Sequence, residues 1–412
     1  MAYNNVIIFG AGASVDAGIP LLSNFVDTMW NLAIRERSNS GPLSPNDLDL
    51  FKKANTIRVE LERFNSRANF RLRNLEDVLS LLSFEAMSGT DSKAKYETWV
   101  KAITRTIELT TKFPPPDGSR PLDDAINYKR TLYHAFWDSI LGQDTPTDPP
   151  AIITFNYDLV LERALWDYFH CIVTEDGFKP AKDSCKITYF LKPYDFTIRA
   201  NKCFYTVNRL ETAAEAGYIS NRMLSVRHDG IKPSIEYNQN GTIEIPYLKL
   251  HGSLNWCDKS TPNQTDPISD TLIPSTRAID AAESPLILPP VFNKMNSGKV
   301  VPVWAKALEI LRQAKHIIFV GYSLPKTDIY MQYFLKSAVG PNSSLQKIIV
   351  FDPALFSEAN NEMRQRFQEC FSPQFQEQIT FMPEMVGNAH SSRGTFAHFV
   401  GNLASGQGDL LF

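Results

Sequence analysis

The chain has 412 residues, of which 43% are hydrophobic and 21% are charged. That balance is typical of a globular protein with a substantial core, and the length suits two or three domains or one large α/β domain with insertions. Lysines and arginines total 42 against 45 acidic residues, and the net charge of −3 predicts no general affinity for nucleic acid or an anionic membrane.

The start of the chain does not have the pattern of a secretion signal. It reads MAYNNVIIFGAGAS, in which the apolar stretch is short and follows no charged region. No run in the sequence approaches the roughly 18 uninterrupted apolar residues that a membrane helix needs. We therefore expect a soluble, cytoplasmic protein with no membrane partner.

Five cysteines are spread along the chain without a close pair. Disulfide frameworks use an even number of cysteines and structural zinc sites use closely spaced pairs, so we expect free thiols and no zinc. The cysteines are Cys171, Cys185, Cys203, Cys257 and Cys370.

Six short apolar runs, rich in β-branched residues, predict strands. Runs of this length without alternation favour strands that are buried on both faces, as in a parallel sheet covered by helices. They are residues 6–9, 151–155, 247–250, 316–320, 347–351 and 379–382. Helical spacing of apolar residues lies between many of them, at residues 21–37, 158–169, 303–314 and 329–338. The alternation predicts an α/β fold with a Rossmann-like, doubly wound parallel sheet.

More than a hundred residues separate the first two predicted strands, and they have strong helical character. The candidate helices are residues 47–64, 74–87, 93–111 and 123–140, and the proline-rich stretch 113–121 is a predicted loop. We predict a large helical insertion over residues 31–145, beside a core domain formed by residues 1–30 and 146–412. Residues 171–245 predict a second insertion of mixed character, and residues 257–284 predict a surface loop or lid.

The first strand leads directly into GAGAS at residues 10–14. Glycines between a strand and a helix let the backbone approach a pyrophosphate, and the helix N-terminus supplies N–H donors. A tight turn without a ligand is the alternative. The fingerprint of a dehydrogenase is not complete, because valine occupies position 15 and no acidic strand end follows about 20 residues later. A hydride-transfer enzyme is therefore disfavoured.

The other predicted strands also end in polar residues, which would meet at one edge of a parallel sheet. TFNYD occupies residues 154–158, HGS residues 251–253, GYSL residues 321–324, and Asp352 follows the fifth strand. Asn156 and Asp158 could instead cap the next helix, and His251 could be a core histidine.

The order GAGAS with GIP, then TFNYD, HGS and GYSL resembles the sirtuin family. The resemblance implies a sirtuin-like fold that uses NAD as its substrate. It implies that Asn156 holds the ribose or the attacking group, that Asp158 contacts the nicotinamide amide, and that His251 is the catalytic base. The residues implied to bind the rest of the cofactor are Gly10, Ala11, Gly12, Ala13, Ser14, Asp16, Gly321, Ser323, Leu324 and Asp352.

The sequence departs from sirtuin deacylases in two places. It lacks the four-cysteine zinc ribbon after the histidine, where only Cys257 occurs, and Leu21, Leu22 and Ser23 replace the Asp-Phe-Arg that follows GIP. Zinc-less chains with this pattern resemble NAD-consuming effectors of bacterial anti-phage systems, in particular the sirtuin-like partner of HerA-type hexameric ATPases. The resemblance therefore implies an NAD hydrolase that releases nicotinamide and ADP-ribose.

Two alternatives remain open at this point. One is a deacylase or ADP-ribosyltransferase, and the other is a non-catalytic sensor of NAD or ADP-ribose. An NAD hydrolase must be controlled, and the expected routes are self-assembly into a homo-oligomer, a partner protein, or closure of the loop near residues 257–284. The helical insertion, with its Trp99 and Trp137, is the candidate for subunit contacts. Internal packing of that insertion is equally compatible with the sequence. The basic stretch 52–73 also contains acids, so a solvated helix face is favoured over a nucleic-acid site.

Overall fold

The computed structural model describes the chain in separate ranges. They are residues 3–38, 41–62, 71–112, 131–142, 149–170, 182, 184–191, 194–199, 241–257, 281, 285–288, 299–326, 328–356, 360–382 and 395–404. The predicted loop at 113–121, most of the mixed insertion 171–245 and most of the predicted lid 257–284 lie outside these ranges.

Most strands of the described ranges belong to one sheet, and two short hairpins lie apart from it. The strands are β1 (Asn5–Phe9), β2 (Arg37–Ser38), β3 (Gly41–Pro42), β4 (Ala151–Thr154), β5 (Ser184–Thr188), β6 (Phe196–Arg199), β7 (Thr242–Lys249), β8 (Gly252–Cys257), β9 (Pro285–Ile287), β10 (His316–Val320), β11 (Lys347–Phe351) and β12 (Ile379–Phe381). β2 pairs with β3 and β8 pairs with β9, both antiparallel.

The main sheet has eight strands in the order β12-β11-β10-β1-β4-β7-β5-β6. All neighbours are parallel except β5 and β6. Without β5 and β6, the six parallel strands in chain order lie as 3-2-1-4-5-6, which is the Rossmann order. The predicted α/β fold with a doubly wound parallel sheet is therefore confirmed.

The central strands form ladders of apolar residues because both faces of the sheet are covered. Val6 lies opposite Ala151 on one side and Ile317 on the other, and all three side chains are fully buried. Full burial of an aliphatic side chain of this size contributes about 1.5–3 kcal/mol, so the continuous apolar runs fix the sheet core.

The helices occupy the segments between strands. They are α1 (Phe25–Arg35), α2 (Pro45–Leu61), α3 (Leu75–Glu85), α4 (Thr90–Thr110), α5 (Leu132–Leu141), α6 (Val160–His170), α7 (Val301–Leu311), α8 (Ile329–Val339), α9 (Asn360–Gln368) and α10 (Phe396–Ala404), with short 3₁₀ helices at Ala11–Ala17, Pro353–Phe356 and Gln376–Gln378. Ser44, Asn74 and Asp328 accept hydrogen bonds from backbone N–H groups in the first turns of α2, α3 and α8, which fixes where these helices begin. None of the described helices combines the length and apolar character needed to cross a membrane.

Helices of the predicted insertion pack internally and against the sheet. Trp99 of α4 is fully buried and donates to the carbonyl of Ala54 in α2 at 3.1 Å. Trp137 of α5 is fully buried and donates to the carbonyl of Leu161 in α6 at 2.9 Å. These two tryptophans therefore belong to the core rather than to a contact surface, while the division of the chain into domains stays a prediction.

Three described basic residues of the stretch 52–73 pair with acidic residues. Lys53 lies 2.6 Å from Asp49, Arg58 lies 2.9 Å from Glu62, and Arg71 lies 3.1 Å from Asp77. Pairs of this kind on exposed helices contribute little to stability and leave little unbalanced positive charge. The preference for a solvated face over a nucleic-acid site stays a prediction.

Several elements differ from the sequence prediction. β5 and β6 lie in the predicted mixed insertion and extend the sheet, and β7 begins five residues earlier than expected. The hairpin of β8 and β9 and the C-terminal helix α10 were not predicted. α10 completes the core, since its Phe396 and Phe399 rings lie 5.8 and 6.2 Å from the ring of Phe9 in β1.

Candidate functional site

The loops after β1 and β10 touch where the strand order reverses. The Gly10 N–H donates to the Val320 carbonyl and the Gly12 N–H to the Gly321 carbonyl, both at 3.0 Å. A Cβ at Gly10 would lie 2.4 Å from the Gly321 oxygen, and Gly321 has a φ of +64°. The glycines at 10, 12 and 321 are therefore required by the close approach of two loops at the topological switch point.

The GAGAS segment forms the 3₁₀ helix Ala11–Ala17 rather than the start of an α-helix. The N–H of Ala13 donates to the carbonyl of Gly10 at 3.0 Å, so the N–H groups of Gly10, Gly12 and Ala13 all have partners within the protein. The predicted contact of this segment with the phosphates of a cofactor stays a prediction. Ala11 and Asp16 are exposed on its outer side.

The predicted insertion holds this 3₁₀ helix at both ends. The phenol of Tyr133 in α5 donates to the Ala13 carbonyl at 2.8 Å and accepts from the Ala17 N–H at 3.1 Å. The Lys112 N–H, just after α4, donates to the Ala17 carbonyl at 2.7 Å. Gly18 ends the helix with a φ of +90°, and a Cβ there would lie 2.6 Å from the carbonyl oxygen at the end of α4. The motif is therefore shaped by the insertion as well as by the sheet.

The side chains of three predicted site residues, Ser14, Asn156 and Asp158, form one hydrogen-bonded cluster, which we call the site cluster. The Asn156 amide nitrogen donates to the Gly10 carbonyl and to the Ser14 hydroxyl, both at 2.9 Å. The Ser14 hydroxyl donates to Asp158 Oδ2 at 2.7 Å. Asp158 Oδ1 also accepts from the Val160 N–H at 3.1 Å, so this aspartate caps α6 as the alternative interpretation expected. Asn156 is half-buried, whereas Ser14 and Asp158 are buried.

The side chain of Asn156 has a defined orientation. Because the Gly10 carbonyl can only accept, the nitrogen of the amide must face it. Among the described residues, Oδ1 of Asn156 accepts no hydrogen bond, so it is available as an acceptor at the sheet edge.

A small cavity adjoins the site cluster. Its volume is about 10 Å³, which is room for about one water molecule. It is lined by Phe9, Ala13, Ser14, Tyr133, Thr154, Asn156, Asp158, Leu161, Tyr247 and Phe396. Polar groups of the cluster and the aromatic core of the sheet thus meet at this point.

His251 lies on the loop after β7, next to aromatic rings. Its ring centroid is 5.1 Å from that of Phe155, 6.2 Å from that of Tyr157 and 6.4 Å from that of Trp304. Its carbonyl accepts from the N–H of Leu288 at 2.7 Å, and the phenol of Tyr157 donates to the Leu288 carbonyl at 2.6 Å. The histidine is 7% exposed, and it is joined to the loop that bears Asn156 through Phe155 and Tyr157.

A pair of stacked aromatic rings, Phe155 and Tyr322, joins the loops after β4 and β10. Neither residue was predicted to have a role. Phe155 stacks on Tyr322 with centroids 4.5 Å apart and an interplanar angle of 27°. The phenol of Tyr322 donates to Asp328 Oδ2 at 2.8 Å, which fixes the ring. Both residues lie inside the quoted motifs, so aromatic residues at those two positions were the signal that could have revealed the pair.

The remaining predicted cofactor residues lie on the loops after β10 and β11. The Ser323 carbonyl accepts from Arg366 Nε at 3.2 Å. Leu324 is fully buried with a φ of +47°, so any ligand contact from this residue would have to involve its backbone. Asp352 is buried and accepts from the Ala354 N–H at 2.8 Å, and burial raises the pKa of its carboxyl. No contact joins Asp352 to the site cluster within the described ranges.

Behind the site lies a second polar group that the sequence analysis did not identify, which we call the buried network. Lys249 of β7 and Glu162 of α6 are fully buried and form an ion pair of 2.7 Å. The phenols of Tyr189 and Tyr247 donate to the same carboxylate at 3.1 and 3.3 Å. The available signal was a lysine inside the apolar run of a predicted strand.

Where the structure describes the chain, no three His, Cys, Asp or Glu side chains are grouped so as to hold a metal ion. The described Cys185 and Cys370 are free and buried. The expectation that the protein has no zinc stays a prediction.

No family model and no curated protein matches the chain. Among solved structures, it is similar to one described as the structure of Sir2Tm bound to a propionylated peptide, with a TM-score of 0.31 and 11% sequence identity. The match covers 99% of this chain and 94% of that chain. Nothing about fold or function follows from a similarity with so low a TM-score. The fold class is assigned from the strand order and register. The chain is an open α/β protein of Rossmann strand order with a polar cluster at the carboxyl ends of two central parallel strands, β1 and β4.

Proposed function

We propose that the protein is an NAD⁺ hydrolase that cleaves the bond between nicotinamide and ribose and releases nicotinamide and ADP-ribose. The observation that carries the proposal is the site cluster. Ser14 and Asn156 follow two neighbouring parallel strands, are 142 residues apart in sequence, and share a hydrogen bond at the carboxyl ends of those strands, beside the crevice at the switch point between β1 and β10. Ligands of open α/β sheets bind in that crevice. The resemblance of the four motifs to sirtuins supports NAD as the ligand.

In the proposed reaction Asn156 positions the ribose or the attacking water. Its nitrogen is held by Gly10 and Ser14, so its Oδ1 can accept a hydrogen bond from a ribose hydroxyl or a water. A fixed acceptor of this kind lowers the entropic cost of placing the nucleophile beside the ribose carbon. Asp158 accepts from the Ser14 hydroxyl and orients it, and the hydroxyl in turn orients the side-chain amide of Asn156.

His251 is the proposed general base. An imidazole has an ordinary pKa of about 6.5 and can accept a proton from water near neutral pH. The water oxygen bonds to the ribose carbon and its proton passes to His251. The bond from that carbon to the cationic nicotinamide nitrogen breaks, and its electron pair stays on the nitrogen. Nicotinamide leaves as a neutral molecule through a transition state that resembles an oxocarbenium ion.

The first test is NAD consumption by the purified protein, with chromatographic identification of products. We expect His251→Ala to lower turnover by about 100- to 10,000-fold, the usual contribution of a general acid–base group. We expect Asn156→Ala to lower turnover by about 100-fold or more, because the nucleophile loses the acceptor that positions it. His316→Ala is a matched control. His316 is the first residue of β10 and contacts Asn5, so it lies at the amino ends of the parallel strands, whereas the site lies at their carboxyl ends. A folded Asn156→Ala protein with wild-type turnover would refute the site. Tight NAD binding without turnover would instead favour the sensor alternative.

The biological role is part of the same proposal. We propose that the protein depletes NAD as an effector of anti-phage defence, as a homo-oligomer or together with a HerA-type hexameric ATPase. Support comes from the resemblance of the motifs and from the missing zinc ribbon. Light scattering of the purified chain, alone and mixed with such an ATPase, tests assembly. NAD turnover that is unchanged by assembly would argue against control by a partner.

A further inference from the structure

Lys249 ends β7, and its ammonium group has a full set of partners. Nζ donates to Glu162 Oε1 at 2.7 Å, to the carbonyl of Asp158, and to the carbonyl of Tyr157 at 3.4 Å. An ammonium group has three N–H donors, so these three acceptors satisfy it. Two of the three acceptors belong to the backbone that directly follows Asn156.

The carboxylate on the other side is equally well satisfied. Glu162 accepts from Lys249 and from the phenols of Tyr189 and Tyr247. Burial and the nearby Glu162 carboxylate raise the pKa of both phenols well above the ordinary value, so both remain donors at neutral pH. The carboxylate therefore keeps both phenol hydrogen bonds at neutral pH.

Stability alone does not account for an ion pair at this place. Removing two charges from water is costly, and well-packed apolar residues in place of a buried pair are often equally stable or more stable. The pair does, however, join two loops. Lys249 lies two residues before His251, and its ammonium holds the carbonyls one and two residues after Asn156.

We propose that the ion pair of Lys249 and Glu162 is a positioning device that sets the distance between Asn156 and His251. The inference rests on the proposed NAD hydrolysis and adds positioning residues to that site. Lys249 is the last residue of β7, which leads to His251. Its ammonium group holds the carbonyls of Tyr157 and Asp158 in the loop after β4, and that loop bears Asn156. Neither Lys249 nor Glu162 is argued to touch substrate.

The test is the double variant Lys249→Met/Glu162→Gln, which removes both charges and leaves no unpaired buried ion. We expect kcat for NAD to fall on the order of 10- to 100-fold with KM nearly unchanged, because a displacement of about 1 Å between reacting groups costs that much. Tyr189→Phe is the matched control. It removes a hydrogen bond to the same carboxylate and leaves Lys249 on the loop carbonyls, so kcat should stay within about threefold of wild type. A folded double variant with wild-type kcat would overturn the proposal.

A second measurement separates this proposal from the proposed function. If the wild-type protein does not hydrolyse NAD, the function falls, and amide hydrogen exchange still tests positioning. The N–H groups of Asn156, Val160 and Leu254 donate within or onto this loop. Faster exchange confined to these amides in the double variant supports the positioning role. An increase spread over the whole sheet, or one equal to that of Tyr189→Phe, would refute it. If the double variant does not fold, Lys249→Leu/Glu162→Gln receives both measurements with the same criteria, because it also removes the ammonium from the loop carbonyls and leaves no buried ion unpaired.

Discussion

The site cluster and the buried network each contain an acidic residue from the start of α6, but they differ in whether a polar group is left to bind a ligand. Asp158 and Glu162 lie four residues apart at the start of α6, and each accepts several hydrogen bonds. Glu162 is paired with a cation and is fully enclosed, so every donor and acceptor around it is satisfied. Asp158 is linked to the half-buried Asn156, which keeps an acceptor at the sheet edge. A polar network in which all donors and acceptors are satisfied can only stabilise the structure. A network that leaves an acceptor at the ends of the strands, as Oδ1 of Asn156 does, can also bind a ligand.

The largest expected effect is the loss of stability in Lys249→Met. The substitution keeps most of the side-chain volume but leaves the carboxylate of Glu162 buried without its cation, which typically costs about 3–5 kcal/mol. Urea unfolding measures the change. Lys306→Met is the control, because its pair with Glu309 lies at the surface and should contribute less than about 1 kcal/mol. Equal losses in the two variants would contradict the contrast between buried and exposed pairs.

The next effect is expected for Ser14→Ala in the site cluster. The substitution removes the donor to Asp158 Oδ2 and an acceptor of the Asn156 amide, so we expect a loss of about 1–3 kcal/mol together with slower NAD turnover. Ser139→Ala is the control, since that hydroxyl donates only to the carbonyl of Ala135 in its own helix. Unchanged turnover in Ser14→Ala would show that the orientation of Asn156 does not depend on Ser14.

A smaller effect is expected for Tyr133→Phe, which tests the connection between the insertion and the site. The ring keeps its stacking on Phe396, at 4.7 Å, but loses both hydrogen bonds to the 3₁₀ helix. We expect about 1 kcal/mol of lost stability. Tyr168→Phe removes the hydrogen bond to Asp138 between α5 and α6 and is the matched control. If only Tyr133→Phe slows NAD turnover, the insertion acts on the site through this contact, whereas equal turnover in both variants would contradict that link.

The smallest effect concerns Asp352 and depends on pH. Burial raises the pKa of this carboxyl above its ordinary value of 3.8. The native state then binds more protons than the unfolded state between the two pKa values, so the free energy of unfolding falls as pH rises through that window. Asp352→Asn keeps an oxygen for the Ala354 N–H and removes this dependence. We expect greater stability than wild type at neutral pH and convergence below about pH 4. If the free energies of unfolding of wild type and Asp352→Asn differ by a constant amount from pH 3 to 7, the raised pKa of Asp352 is contradicted.

Much of the sheet could be predicted because its strands are buried on both faces. The runs at 6–9, 316–320 and 347–351 are apolar except for the first residue of the last two, and the structure has strands there. β5 and β6 lie near the edge of the sheet, where alternation and composition are weaker signals. α10 has nine residues, and its apolar pattern is too short to be distinguished from a strand or a buried turn.

The site was predicted in part for a similar reason. Residues at strand ends can be located from the sequence, so the meeting of Asn156 with Ser14 followed from parallel topology. The partners of Lys249 could not be predicted, since Glu162, Tyr189 and Tyr247 come from three different elements. Nor could the 3₁₀ helix at Ala11–Ala17, whose contacts with Tyr133 and Lys112 come from the distant insertion.

By itself, the sequence determined the parallel α/β sheet, the edge at which polar residues gather, and the resemblance that names NAD as the proposed substrate. Local composition and strand direction are enough for these, because burial selects apolar runs and parallel strands align their ends. Only the tertiary structure decided which polar groups satisfy one another. That choice depends on contacts between residues far apart in the chain, and it separates the enclosed ion pair of Lys249 from the open amide of Asn156.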